Sequence, residues 1–207
     1  MRIIVFGATG GVGRQVVRRA REAGHDVTAF VRSPEKVTDR EGIRIVQGDA
    51  FDADAVAAAI AGQDAAVSCL SSSAPMKPSD EITTMVGNIV DGMRTSGVER
   101  IAYCASLGVD GELTGLIGRG IQWMLRHPLA DHRAALDRID SAGLDRTIAR
   151  PSSLNDKEFA PYVEAFDGAP ESNKPIPRAS VADFLVKALE QPDAYRGASV
   201  GLAARGA

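Results

Sequence analysis

The stretch that decides the fold is RIIVFGATGGVGRQVVRRA, residues 2–20. A short apolar run leads directly into a glycine-rich turn, and a helical pattern follows. Gly7 suits a tight turn, Gly10 a close approach of backbone to a pyrophosphate, and Gly13 the close packing of a helix on a sheet. The helix start would direct free N–H groups and its positive dipole end at the phosphates. The stretch predicts a dinucleotide-binding loop; a glycine-rich turn that serves packing alone is the alternative.

The second predicted strand ends in FVRSPEK, residues 30–36, about 20 residues after the glycines. An NAD site usually carries an acid here, which holds the ribose hydroxyls. This chain instead has Arg32, with Ser33 and Lys36 beside it. Because a guanidinium forms a bidentate contact with phosphate, the pattern favours NADP(H) over NAD(H), unless Arg32 is only a solvated surface residue. The predicted phosphate loop itself comprises Gly7, Thr9, Gly10, Gly11, Val12 and Gly13.

Short β-branched apolar runs alternate with amphipathic helical stretches along the first 106 residues. This alternation is typical of a parallel sheet wrapped by helices, and strands this apolar are buried on both faces. We therefore predict an α/β fold of Rossmann type, with a doubly wound, mostly parallel sheet in a three-layer α/β/α arrangement. The predicted strands span residues 2–6, 26–31, 43–47, 64–70, 100–105, 145–149 and 199–202, and a long helix spans residues 80–96.

The composition is that of a globular protein, with 207 residues, 44% of them hydrophobic and 25% charged. It excludes intrinsic disorder and predicts a single domain over residues 1–207. The motifs assign about residues 1–150 to a nucleotide-binding core, which leaves the loops from 151 onward to build the acceptor site. A net charge of −3 without long charge blocks predicts neither nucleic-acid nor membrane partners. The expected partner is a small-molecule acceptor, and both a monomer and a homodimer are compatible with the sequence.

The longest uninterrupted apolar run, residues 55–61, is too short to span a bilayer, and the N-terminal stretch lacks the pattern of a signal peptide. We expect a cytoplasmic protein. Cys69 and Cys104 have neither metal-site spacing nor companions, so both are expected to be small buried hydrophobic residues without a disulfide, and no metal site is predicted.

Two segments break the strand and helix rhythm. Residues 107–129 form an apolar, glycine-containing insertion that covers a site or docks a partner, and residues 151–179 contain five prolines and resemble a functional lid.

Ser180 and Asp183 then suggest a capped start of the last helix, with Asp183 as the cap. After the third strand, Asp49 and Ala50 are placed at the adenine edge, although Asp49 could equally cap the next helix.

Motifs spread along nearly the whole chain resemble those of the atypical short-chain dehydrogenases. They are GATGGVG (7–13), FVRSPEK (30–36), GQDAAVS (62–68), GVER (97–100), ASLGV (105–109), SAGLDRTIARP (141–151) and SVADF (180–184). The nearest branch contains the NAD(P)H-flavin reductase and biliverdin reductase B-like proteins and overlaps the NmrA-like group. The glycine loop is common to the superfamily. The pair Arg150-Pro151 and the SVADF motif are more particular to this branch.

This resemblance implies an NADPH bound across the carboxyl ends of the strands. The nicotinamide would lie near Ser106 and Pro151. Cys69, Leu70 and Ser71 would flank the nicotinamide ribose by matching motifs. Ser106 could bind the carboxamide or the substrate, or could simply satisfy backbone groups at a strand end.

The sequence departs from the short-chain dehydrogenase pattern at the proton relay. The usual Tyr-x-x-x-Lys pair is missing, because Tyr103, Tyr162 and Tyr195 are not followed by Lys four residues later. His132 stands where many relatives have the Lys and where the biliverdin reductase B-like branch has a His. It is a candidate proton donor or ribose ligand, with a core or capping histidine as the alternative.

The main functional hypothesis is an NADPH-dependent reductase that transfers hydride to a planar conjugated acceptor, such as a flavin, a quinone or a tetrapyrrole-like compound. Such an acceptor can take its proton from solvent, so the missing Tyr-Lys pair is no obstacle. The alternative is a non-catalytic, NmrA-like sensor of NADP(H) that binds a protein partner. A sugar-nucleotide epimerase or dehydratase is disfavoured because it needs that pair and a larger substrate lobe.

Overall fold

The fold is organised around one eight-stranded sheet. The computed structural model describes residues 1–73, 77–166, 168–172 and 174–206. The strands of the sheet are β1 (Arg2–Phe6), β2 (Asp26–Val31), β3 (Ile43–Gln47), β4 (Ala65–Ser68), β5 (Arg100–Cys104), β6 (Asp145–Pro151), β8 (Tyr162–Ala165) and β10 (Ser199–Ala204). Their spatial order is β3-β2-β1-β4-β5-β6-β10-β8, and all neighbours are parallel except β8, which pairs antiparallel with β10. The predicted α/β fold with a mostly parallel sheet between helices is confirmed.

Helices cover both faces of the sheet. One face carries α1 (Gly11–Glu22) and α6 (Arg178–Glu190), and the other carries α2 (Ala53–Ile60), α3 (Glu81–Ser96) and α5 (Arg126–Ser141). Two further helices, α4 (Gly115–Met124) and α7 (Pro192–Tyr195), complete the described helical structure. The central strands are buried because both helical layers press on them, which explains their nearly continuous apolar sequence.

The order of the strands reverses next to β1. From β1 the chain proceeds outward to β2 and β3, then crosses back to β4 on the opposite side. In open α/β sheets a crevice forms at the carboxyl ends of the strands at such a switch point. The fold therefore brings the ends of β1 and β4, including the glycine loop, to one potential ligand site.

The segment after β6 is more regular than its proline content predicts. Besides β8 it contains two short strands, β7 (Leu154–Asn155) and β9 (Ile176–Pro177), which pair in parallel as a separate two-stranded sheet. The predicted sixth strand also continues to Pro151. Of the predicted lid segment, Asp167 and Asn173 lie outside the described residues.

The predicted helix cap at Asp183 is wrong. Helix α6 begins at Arg178, one turn earlier, and its first turn has no side-chain cap. The Asp183 carboxylate instead accepts hydrogen bonds from Nε of Arg19, at 2.9 Å, and from the Tyr162 hydroxyl, at 3.0 Å. Asp183 thus ties α6 to α1 and β8. No helix in the described part of the chain combines the length and apolar composition needed to cross a bilayer.

Candidate functional site

A cavity of about 210 Å³ opens at the carboxyl ends of β1 to β4, at the point where the strand order reverses. Eleven of the residues predicted to bind the cofactor line it: Gly7, Thr9, Gly10, Arg32, Ser33, Lys36, Asp49, Ala50, Cys69, Leu70 and Ser71. They come from four different loops, which shows that the parallel sheet gathers them. The cavity therefore lies where a dinucleotide binds in this architecture.

The glycine loop is packed so closely that side chains would not fit. Gly7 has a φ of 75°, and a Cβ there would lie 2.5 Å from the carbonyl oxygen of Cys69. A Cβ on Gly13 would overlap the carbonyl of Gly7, while the Gly10 N–H donates to that same carbonyl at 2.9 Å. Gly13 and Val12 are buried in the first turn of α1, so they support the loop and do not line the cavity.

Gly11 also lies outside the cavity lining. It begins α1, and the side chain of Arg178 packs across it so closely that a Cβ would lie 2.6 Å from the Arg178 Nε. Arg178 in turn forms an ion pair with Asp156 at 2.8 Å. Gly11 therefore provides room for the start of α6 beside the phosphate loop.

Arg32, Ser33 and Lys36 lie together at the end of β2. A short 3₁₀ turn at Pro34–Lys36 follows the strand, and the Lys36 N–H donates to the Ser33 carbonyl at 3.1 Å. This turn folds Lys36 back towards Arg32, so two cations and a hydroxyl line the same end of the cavity. Such a group suits a phosphate.

Glu81 faces this end of the cavity from the first turn of α3. Its carboxylate accepts hydrogen bonds from the Ser73 N–H at 2.6 Å, the Ser73 hydroxyl at 2.7 Å and the Ser72 hydroxyl at 3.0 Å. Hydrogen bonds from Ser73 and Ser72, with a smaller effect of the Arg32 charge, hold the pKa of Glu81 below its ordinary value. Glu81 thus fixes the loop after β4 against the cavity.

Asp49 lines the cavity and does not cap the next helix. Its side chain accepts a hydrogen bond from the Phe51 N–H at 3.1 Å, closing a local turn. The cap of α2 is Asp52, whose carboxylate accepts from the N–H groups of Asp54 and Ala55. The helix-cap alternative for Asp49 is therefore wrong, because the loop is three residues longer than that reading requires.

The two cysteines lie side by side at the ends of neighbouring strands, and both are free thiols. Cys104 is buried, as predicted, but Cys69 is only half-buried and lines the cavity. A hydrogen bond between the two thiols, reinforced by burial, raises the pKa of Cys69 well above its ordinary value. Among the described residues there is no group of three or more His, Cys, Asp or Glu side chains that could hold a metal ion.

Ser106 and Pro151, predicted to lie near the nicotinamide, do not line this cavity. Ser106 is half-buried, and its hydroxyl donates to the Leu107 carbonyl at 3.3 Å. Pro151 is buried at the end of β6, where its carbonyl accepts a hydrogen bond from the Leu107 N–H at 2.9 Å. The two residues are joined through the same loop, and their roles towards cofactor and acceptor stay predictions.

His132 shares the apolar stripe of α5 with Leu129, Leu136 and Ile139, a spacing that predicts an inward side chain, and the structure directs it inward. It contacts a tyrosine and does not line the cavity. The hydroxyl of the buried Tyr103 lies 2.6 Å from Nδ1 of His132. Burial, only partly offset by the charge of Asp131, lowers the pKa of His132 to about 4. His132 is thus neutral near pH 7 and shares a hydrogen bond with the Tyr103 hydroxyl. Its role as a proton donor or ribose ligand stays a prediction.

Six lining residues were not predicted: Phe30, Val31, Phe51, Ser73, Glu81 and Met85. Phe30 and Val31 immediately precede Arg32, so their position at the strand end could have indicated them. Glu81 and Met85 are recognisable only as the first turns of a helix, and their approach to the cavity depends on how α3 packs on the sheet.

The fold and the cavity together define a nucleotide-binding protein of the doubly wound α/β class. The sequence profile of the NAD(P)H-binding family matches residues 7–192. The chain belongs to this family.

Known proteins similar to this chain include uncharacterised and characterised relatives. An uncharacterised chloroplast protein of Arabidopsis thaliana is 30% identical over 209 residues, which cover 93% of this chain and 73% of that protein. The (4-alkanoyl-5-oxo-2,5-dihydrofuran-3-yl)methyl phosphate reductase of Streptomyces griseus is 42% identical over 109 residues, but these cover 52% of this chain and 36% of that enzyme. The latter similarity is thus restricted to part of each chain.

Solved structures agree on the fold. A short-chain dehydrogenase/reductase from Veillonella parvula, solved in complex with NADP, superposes with a TM-score of 0.83 over 99% of this chain and 95% of its own. The two sequences are 18% identical. At that identity the likeness concerns the architecture alone.

Proposed function

We propose that this protein is an NADPH-dependent reductase that passes hydride to a small conjugated acceptor, such as a flavin or a quinone. The observation that carries the proposal is the cavity at the strand switch, in which a glycine loop that excludes side chains stands opposite a cationic end. Reductases among the relatives of this NAD(P)H-binding family support the reaction class.

The residues present fit NADP(H). The N–H groups at the start of α1 and the bare backbone of Gly7 and Gly10 suit a pyrophosphate, and Arg32 with Lys36 and Ser33 suits a 2′-phosphate. Asp49 and Ala50 would border the adenine. When bound, the nicotinamide supplies the hydride. The protein then has to hold the hydride-donating carbon and the acceptor in the alignment that transfer requires.

We infer a conjugated acceptor because the chain lacks the Tyr-Lys pair that protonates an ordinary ketone or aldehyde substrate. In the sequence no Lys stands four residues after any tyrosine, and all three tyrosines are engaged elsewhere. Tyr103 contacts His132, Tyr162 donates to Asp183, and Tyr195 donates to Glu164. A delocalised acceptor can take its proton from water, so it is the substrate class that this site serves best.

The preference for NADPH is tested by replacing Arg32. We expect Arg32→Ala to weaken NADPH binding by about tenfold or more, because a charge-assisted contact to phosphate is lost, and to leave NADH binding unchanged. Arg18→Ala is the matched control, because Arg18 is an exposed arginine of α1 that pairs only loosely with Glu22, at 3.9 Å. Equal losses for NADPH and NADH, or no loss, would overturn the assignment of Arg32.

The reaction is tested by following NADPH oxidation with flavin mononucleotide, menadione and an indophenol dye as acceptors. We expect turnover of at least one of them. Tight nucleotide binding with equal affinity for NADPH and NADP⁺, and without turnover of any acceptor, would contradict the reductase proposal and favour the NmrA-like sensor.

A further inference from the structure

Helix α4 turns its apolar side away from the protein. Leu116 and Ile117 are 84% and 82% exposed, and Trp123, Met124 and Ile121 are 69%, 49% and 40% exposed. At 100° per residue, these side chains share one arc of the helix. Half of the large exposed hydrophobic residues of the described chain therefore lie on this one helix of ten residues.

The opposite side of α4 makes few contacts with the protein. It carries Gly118 and Gln122, and none of the helix residues is buried. Gly118 rests on the backbone of Leu113, and the Gln122 amide donates to the Gly108 carbonyl at a long 3.5 Å. A surface helix of a globular protein normally buries its apolar stripe and exposes its polar one. In α4 this arrangement is reversed.

The composition of α4 also gives the helix little stability of its own. Gly115, Gly118 and Gly120 fall within ten residues, and glycine is among the poorest helix formers. Neither intrinsic propensity nor burial against the sheet accounts for this helix. A surface that accepts the outward apolar side would supply the missing stabilisation.

The charges around α4 indicate which surface this is. Residues 113–130 contain Arg119, Arg126 and His127 and no acidic residue, although the chain as a whole has a net charge of −3. The Arg126 guanidinium lies 4.6 Å from the centre of the Trp123 ring. Apolar side chains with a tryptophan, flanked by arginines, are typical of helices that lie in the interface of an anionic bilayer. A second copy of the same helix would bring like charges together.

We propose that α4 lies on the surface of an anionic lipid bilayer, with Leu116, Ile117 and Trp123 in the headgroup and acyl boundary. This departs from the expectation of no membrane partner, because that expectation used the charge of the whole chain and the patch is local. Helix α4 follows the carboxyl end of β5, the same edge of the sheet that holds the cavity. Given the proposed function, which this step rests on, the acceptor is a lipid-dissolved quinone.

The experiment uses vesicles of phosphatidylglycerol with phosphatidylcholine, and vesicles of phosphatidylcholine alone. Trp123 is the only tryptophan of the chain, so intrinsic fluorescence reports on α4 directly. We expect the protein to sediment with the anionic vesicles, with a blue shift of Trp123 emission. We expect weaker binding to the neutral vesicles and a decrease with salt.

Two variants separate the apolar from the electrostatic contribution. Leu116→Gln with Ile117→Gln should reduce partitioning by about tenfold or more, because two large apolar side chains are removed from the lipid contact. Arg119→Gln with Arg126→Gln should reduce binding to anionic vesicles by about fivefold per arginine and leave binding to neutral vesicles unchanged. Phe159→Gln is the control, because Phe159 is 57% exposed on a different surface.

The outcomes are distinguishable from a failure of the proposed function. Circular dichroism and NADPH binding without vesicles show whether each variant is folded. Turnover of flavin mononucleotide, which is soluble in water, tests the reductase reaction alone when it is measured without vesicles. Absence of vesicle binding by the folded wild type would overturn the proposal. So would a concentration-dependent dimer that is lost in the Leu116 and Ile117 variant, since it would identify a second copy as the occupant of α4.

Discussion

The two halves of the carboxyl edge of the sheet are built in different ways, and helices α1 and α4 show the contrast best. Helix α1 follows β1 and buries Val12, Val16 and Val17 against the sheet, while Arg14 and Arg18 on its other side are exposed. Helix α4 comes after β5 and buries none of its residues. Both helices are amphipathic, but only one directs its apolar side inward.

The second half shares the apolar core and adds buried polar contacts between residues that are distant in the chain. Arg150, 2% exposed on β6, pairs with Glu112 and Asp110 of the loop before α4. Asp131 of α5 is buried and accepts hydrogen bonds from the N–H groups of Ile82 and Thr83 in the first turn of α3. Both halves pack apolar side chains against the sheet, whereas the buried charged side chains of the described residues, Arg100, Asp131 and Arg150, all lie in the second half. No residue of α4 is buried in either core, so its apolar side chains stay available for another surface.

The largest effect is expected from removing the ionic anchor of the second half. Arg150→Met would leave the Glu112 carboxylate, which is 5% exposed, without its buried partner. We expect a loss of about 3–5 kcal/mol in the free energy of unfolding, measured by urea denaturation. Arg133→Met is the control, because Arg133 is partly exposed and should cost less than about 1 kcal/mol. If Arg150→Met with Glu112→Leu is no more stable than Arg150→Met alone, the buried pair is not the anchor.

Close backbone packing in the first half is tested by two glycines with nearly the same conformation. Gly7 and Gly24 have φ values of 75° and 80°, but a Cβ on Gly24 would have nothing within 4 Å. We expect Gly24→Ala to cost about 1 kcal/mol through backbone strain alone. Gly7→Ala should cost about 2 kcal/mol more, because its Cβ collides with the Cys69 carbonyl, and should abolish NADPH binding. Equal losses would show that the loop is not tightly packed.

The buried pair of Tyr103 and His132 predicts a dependence of stability on pH. The pKa of His132 is lowered to about 4, so the unfolded chain takes up this proton at its ordinary value of 6.5 before the folded chain does. The stabilisation that the neutral His132 contributes to the free energy of unfolding is complete above pH 6.5 and is lost as the pH falls towards 4. Between pH 7 and pH 5 we expect a loss of about 2 kcal/mol from this group.

His132→Asn is the matched variant for this measurement. Its side-chain oxygen can accept the Tyr103 hydrogen bond, but it does not titrate in this range. The difference in unfolding free energy between pH 7 and pH 5 should therefore be smaller in this variant than in the wild type. The same difference in both proteins would mean that His132 titrates normally.

The smallest effect is expected in α4 and tests the comparison directly. Val16→Ala in α1 removes a fully buried side chain and should cost about 2 kcal/mol. Leu116→Ala in α4 removes a larger but 84% exposed side chain and should change the unfolding free energy by less than about 0.5 kcal/mol. A large loss from Leu116→Ala would show that α4 packs inward in solution.

The nucleotide-binding half could be predicted from the sequence almost completely. Its loops are short and follow buried strands, so the order of strands and turns brings Gly7, Arg32 and Cys69 to one place without knowledge of side-chain packing. The errors in this half were local. Asp49 was offered as a possible helix cap where Asp52 has that role, because both acids precede the same helix.

The second half could not be predicted to the same depth. Asp183 has the sequence context of a cap, but its role is set by Arg19 and Tyr162, which are distant in the chain. The inward direction of His132 followed from helical periodicity, whereas its contact with Tyr103 depends on how α5 lies across β5.

The sequence by itself determined the fold class, the glycine loop and the cationic end of the cavity, because alternating strands and helices and a glycine motif act over a few residues at a time. Tertiary structure alone decided which side of α4 faces the protein and that Tyr103 contacts His132. It also decided that Asp52 caps a helix, whereas Asp183 joins α6 to α1 and β8. Helical periodicity defines an apolar side but not what that side contacts. That depends on which surface the rest of the chain leaves beside the helix.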